Sequence, residues 1–152
     1  MFSTVRYFIK TSIIFLMTGI LTGLYMLIAR KYFNEWPHTD LVSAHTHIIL
    51  VGSVMMMIMG VALWFFPRAE KDDKFYKPGL ILTTYFIITI STAIRFISQV
   101  ISSFVQADTT LKFLLSASSL LQVIGIIMFF ISMWGRIRSV GSHLREAKGE
   151  KF

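Results

Sequence analysis

The sequence predicts an all-α protein: an integral membrane four-helix bundle with both termini cytoplasmic. Three observations carry this expectation. The chain of 152 residues is 55% hydrophobic, more than an ordinary soluble domain of its size. The apolar residues fall into four blocks, 11–29, 42–66, 79–104 and 113–134, each reaching the roughly 20 residues that cross a bilayer as a helix. The cations are one-sided. Eleven of them (Arg6, Lys10, Arg68, Lys71, Lys74, Lys77, Arg136, Arg138, Arg145, Lys148 and Lys151) fall at the termini and the second connection, against three (Arg30, Lys31, Lys112) on the other connections. Cytoplasmic loops collect Lys and Arg, so the net charge of +7 is accounted for by a lipid bilayer, and no nucleic-acid partner is expected. The blocks are too long and too continuously apolar for barrel strands.

The first block is followed by Arg30-Lys31 and lacks a small-x-small cleavage site, so it is read as a span rather than a signal peptide. Its Gly19 and Gly23 form a small-xxx-small pair that lets helices approach closely, or makes room for a flat cofactor. The outer connection carries Tyr32, Phe33 and Trp36, an interfacial aromatic belt, and His38, read as a solvated loop residue. The second block ends at Trp64-Phe65-Phe66-Pro67, aromatics at the inner interface and a proline that stops the helix. The third is rich in Ser and Thr, and the fourth opens on Ser116, Ser118 and Ser119, hydroxyls that bond back to helical carbonyls at little cost. A basic tail, 136–152, is expected to be frayed or to lie along the anionic leaflet. The whole chain, 1–152, reads as one membrane domain. The absence of cysteine excludes disulfides, thiolate metal sites and iron–sulfur clusters.

The residues with chemical potential are few. His45 and His47 open the second block near its outer end, and an imidazole at membrane depth is a site hypothesis by default. Two residues apart on a helix, they point roughly 200° from each other, so one regular helix cannot chelate a single ion with both. Either can serve as an axial metal ligand while the other meets a second partner, a cofactor carboxylate or water. Both can equally be hydrogen-bonded interfacial residues. The face through His45 continues to Ile49, Gly52, Met56, Met59 and Gly60, an apolar, glycine-bearing surface on which a porphyrin could lie. Arg95 lies ~24 Å into the third helix at ~1.5 Å per residue, in the outer half with the histidines. No acidic residue lies in any apolar block, so Arg95 either snorkels to headgroups or pairs with a carboxylate, that of Glu35 or Asp40 in the outer loop, of Asp108, or of a ligand such as a haem propionate. Gln99 and Gln122 could extend a polar patch around it. Met55-Met56-Met57-Ile58-Met59 suits Cu(I) chemically, but its sulfurs spread around the helix, as apolar filling does.

At the second block a resemblance becomes specific. Ala44-His45-Thr46-His47-Ile48-Ile49-Leu50, with Gly60-Val61-Ala62-Leu63-Trp64-Phe65-Phe66-Pro67 below it, resembles the second helix of haem–copper oxidase subunit I, as found in cbb3-type oxidases and nitric oxide reductases. The resemblance covers about the first 70 residues. It implies that His45 occupies the position of a low-spin haem ligand. The family's core has about twelve helices, whose later members carry the remaining ligands. Here blocks three and four hold no histidine, so a complete oxidase or reductase is not expected.

The expected function is a membrane-embedded b-type haem protein for electron transfer or diatomic gas binding in a respiratory or denitrification setting. His45 would be the axial ligand, His47 a second ligand or propionate partner, Arg95 a propionate clamp, and Gly52 and Met56 the haem-facing wall. A second histidine would come from another copy across a two-fold axis, or the sixth position would hold methionine or stay open. The partners implied are a second copy or a larger respiratory complex, with an outer-side redox protein or quinone, in a bacterial or archaeal inner membrane. The alternatives are a cofactor-free accessory or assembly subunit of a respiratory oxidase, and a copper or zinc site at His45, His47 and His38.

Overall fold

The computed structural model describes residues 2–66, 77–106, 108–137 and 149. Pro67 and the cations Arg68, Lys71, Lys74, Arg138, Arg145, Lys148 and Lys151 lie outside the described residues. Among the described residues the chain is helical throughout, with no strand. Helix α1 is Phe2–Tyr32. Helix α2 is Thr39–Phe65, an α-helix (Thr39–His47) and a second α-helix (Met56–Phe65) joined without a break by a π-helical stretch, Ile48–Met55. Helix α3 is Pro78–Phe104 and α4 is Thr109–Met133, which ends in a 3₁₀ turn, Trp134–Arg136. All four are long and apolar enough to cross a membrane. Helices α1, α2 and α4 begin several residues before their apolar blocks, and α3 begins one residue before its block, at Pro78.

Local chemistry sets those ends. Asn34 takes a left-handed backbone, φ 55°, and lets Phe33 and Glu35 donate to the Ala29 carbonyl, closing α1 as αL caps do. His38 is not simply solvated: its Nδ1 accepts from the Asp40 amide at 3.2 Å, capping α2. Proline opens α3, where its missing N–H costs nothing. Asp108 caps α4 by accepting from the Leu111 amide at 2.8 Å.

The packing is that of a molecule with an apolar outside. Buried positions hold Ser12, Ser53, Thr84, Ser91, Thr92, Ser98, Gln99 and Gln122 beside Phe8, Ile48, Met56 and Ile88, while Ile14, Leu21, Ile58, Leu120 and Ile127 are exposed. Small and hydroxylated residues inside and aliphatics outside suit helix association in lipid. Helix α2 is the most enclosed of the four, set between α1 and α3, and α4 packs chiefly against α3. Two glycine contacts draw α1 and α2 together. A side chain at Gly19 would collide with Ile49, and one at Gly60 would press on Phe8 and Ile9. Gly125 does the same for α4, meeting Ile88 of α3.

Arg136 departs from the tail expected at 136–152. It is fully buried and donates to the carbonyls of Leu63 (3.0 Å) and Phe66 (3.1 Å) and to Met133 Sδ. The guanidinium thus serves the orphan carbonyls at the end of α2 and ties α4 to it.

Candidate functional site

His45, His47 and Arg95 sit toward one end of the helices, that of the 33–38 and 105–108 connections, and the structure divides them into two environments. His45 faces α1. Its Nδ1 is 2.9 Å from the Gly19 carbonyl oxygen. A carbonyl only accepts, so Nδ1 carries the proton and Nε2 keeps its lone pair. The ring lies over Gly23, where an added Cβ would be 2.8 Å from Cε1. Gly19 and Gly23 therefore do two things: one turn supplies the acceptor, the next supplies room for the imidazole.

His47 faces the other way, as the two-residue spacing requires. Its Nε2 lies 2.8 Å from Arg95 Nη2. Arginine only donates, so Nε2 accepts and the imidazole is neutral, with its proton on Nδ1. Arg95 Nη1 donates to Gln122 Oε1 at 3.1 Å, and Gln122 Nε2 donates to Thr92 Oγ1 at 2.9 Å. Arg95 does not snorkel away; its two terminal nitrogens meet a neutral imidazole and a neutral amide, not a carboxylate.

This cluster is the inner end of a polar seam between α2 and α3. Ser102 donates to Asp40, Gln99 donates to Ser43 at 2.7 Å, and Arg95 meets His47. The spacing 40, 43, 47 on α2 runs against 102, 99, 95 on α3, one helical face each. Beyond His47 the steps become unequal: Gly52, five residues on, stands against Thr92, three residues back from Arg95. The π-helical stretch absorbs that difference. Such stretches recur at functional sites, and this one follows His47 directly. Gln99 and Gln122 were legible as polar outliers. The Asp40–Ser102 and Ser43–Gln99 rungs were not singled out, although their three- and four-residue spacing was there to be read.

Gly52 and Met56 do not form an open wall. A side chain at Gly52 would meet Phe15 Cδ2 at 2.8 Å and Thr92 at 3.0 Å, and Met56 is fully buried in the core. Phe15 of α1 covers the face below His45 at Gly52, and Ile49 on that face is seated against Gly19. A planar cofactor would therefore reach His45 at Nε2 and not lie along that face. His45 itself fits an axial ligand, because a metal-binding imidazole characteristically donates its other N–H to a carbonyl or carboxylate. His38 stands at the start of α2, and among the described residues no three His, Asp or Glu side chains are placed to hold a metal ion. A cavity of about 340 Å³ lies beside His38, bounded by Tyr25, Trp36, Leu41 and Phe104. Arg30 stacks over Trp36 at 4.2 Å.

No family model, no curated protein and no solved structure matches the chain.

Proposed function

We propose that the chain is a multi-pass membrane protein that binds a b-type haem through His45 Nε2, in the inner membrane of a bacterium or archaeon. One observation carries the reading: the Gly19 carbonyl fixes the His45 tautomer and leaves Nε2 without a hydrogen-bond partner among the described residues. The haem supplies one-electron chemistry or a gas-binding position. The chain's own work is to orient the imidazole through Gly19 and to hold it against the bare backbone of Gly23. His47 gives its Nε2 to Arg95, so a two-histidine haem takes its second imidazole from His45 of another copy. A two-fold homodimer meets that need. The bias of cations toward the termini and the second connection supports cytoplasmic termini, which puts His45 within reach of an outer-side redox partner or quinone.

A spectrum tests this. Detergent-purified protein is expected to show a Soret band, with sharp α and β bands on reduction by dithionite, all lost in His45→Ala. A featureless spectrum from haem-replete cells would sink the proposal. The closed glycine face favours a second reading, a cofactor-free accessory or assembly subunit of a respiratory complex. Its mark would be co-purification with larger subunits that His45→Ala leaves unchanged.

A further inference from the structure

We infer that the cavity at the 33–38 end of the helices binds a quaternary ammonium group such as that of choline, with the Glu35 carboxylate as its counter-charge. The cavity, about 340 Å³, stands at the lower end of the range for small-ligand sites, room for one headgroup. Three segments wall it with aromatic rings. Tyr25 comes from α1, Trp36 from the connection and Phe104 from the end of α3, with the buried Ala29 and Leu41 between them. An interfacial aromatic belt needs only rings at the right depth; it does not bring three of them from separate segments around one space. A cation among aromatic rings is held by their quadrupoles, and quaternary ammonium ligands are recognised in this way.

Charge and acceptor count narrow the ligand. Glu35 lines the cavity, and no lysine or arginine does, although the chain carries +7 overall. An adjoining cavity shares His38, Ser103 and Phe104 and adds Asp40, again without a lysine or arginine. Arg30 lies over the Trp36 ring at 4.2 Å, so that ring already takes a cation, but Arg30 forms no ion pair with Glu35. Among the described residues the ion pair is that of His38 with Asp40. An anionic ligand would meet the carboxylate unfavourably. A metal ion would find too few ligands, since among the described residues no three His, Asp or Glu side chains are placed to hold one. A primary ammonium has three donors to satisfy, and the cavity is poor in acceptors. His38 Nδ1 is taken by the Asp40 amide, which leaves the proton on Nε2. A quaternary ammonium has no N–H and needs only the charge of Glu35 and the rings.

The inference does not depend on haem at His45, and the experiment separates the two. The full chain in maltoside detergent carries Trp64→Phe and Trp134→Phe, at two exposed positions, so that Trp36 is its one remaining tryptophan. Its fluorescence is followed as choline is added, and in parallel the uncharged isostere of choline, in which a carbon replaces the quaternary nitrogen. A saturable change is expected with choline and none with the isostere. Glu35→Gln and Phe104→Leu should each weaken choline about threefold, and the double variant about tenfold, the scale of an exposed charge pair and of an exposed cation–π contact. His45→Ala should bind choline as the parent does. The same titration with dihexanoylphosphatidylcholine, kept below its micelle concentration, distinguishes the source. Binding at least as tight as that of choline assigns the site to a lipid headgroup, and weaker binding assigns it to a soluble ligand. No saturable change with choline would overturn the inference, as would equal affinity for the isostere or full affinity in Glu35→Gln. Loss of binding in His45→Ala would also overturn it, because the cavity would then belong to the cofactor's site.

Discussion

His45 is positioned by what two glycines lack. The Gly19 carbonyl reaches Nδ1 and the ring covers Gly23, so a single methyl group should dislodge it. Gly23→Ala puts a carbon 2.8 Å from Cε1; overpacking of this kind costs about 1–3 kcal/mol. The expected outcome is a lower unfolding temperature and, on the haem reading, weaker haem retention during purification. Retention equal to wild type would mean that the ring moves freely and that Gly19 does not orient it. His47, by contrast, is set by Arg95. On the same haem reading, substituting His47 should leave any haem absorbance largely intact; on either reading it should destabilise the α2–α3 contact.

At the scale of elements, two of the contacts that hold α4 can be tested singly. The first is Gly125, whose missing side chain admits Ile88. A Cβ there would stand 2.6 Å from Ile88 Cγ1, so Gly125→Val is expected to push α4 away from α3 and to weaken the Arg95–Gln122 bond with it. The second is Arg136, which lends its guanidinium to the last carbonyls of α2. Arg136→Met keeps an apolar stem but leaves the Leu63 and Phe66 carbonyls short of a partner. Buried unsatisfied groups cost about 1–3 kcal/mol each, so a clear drop in thermal stability is expected. An unchanged midpoint would show that water reaches this end of α2.

For the whole molecule, the distribution of polarity is the main property. Exposed aliphatics surround buried serines, threonines and glutamines, so the outer surface is suited to lipid. The absence of cysteine makes orientation directly measurable. Asn34→Cys and Gln106→Cys mark one end of the helices, and Lys77→Cys the other. With cytoplasmic termini, a membrane-impermeant maleimide labels the first two on intact spheroplasts and labels Lys77→Cys only after permeabilisation. The reverse pattern would invert the topology and place His45 on the cytoplasmic side.

Much of this was legible in the chain because apolar length is a local property. Four blocks near the thickness of a bilayer yield four helices whatever they pack against, and a two-residue spacing sends His45 and His47 to different neighbours in any helix. Arg95 and Gln122 stood out in the same way, as polar residues in apolar runs. What those side chains meet is not local. The partner of Arg95, the carbonyl that serves His45, the closure of the Gly52 face by Phe15 and the burial of Arg136 depend on which helices lie side by side and in what register. Register here is altered within α2 by a π-helical stretch that no apolar periodicity announces. The sequence by itself determined the helices, their number and their polar outliers. The tertiary structure alone decided that His45 is oriented by α1 while His47 and Arg95 engage each other, because a hydrogen bond between helices needs two surfaces brought together and a single helix specifies only one.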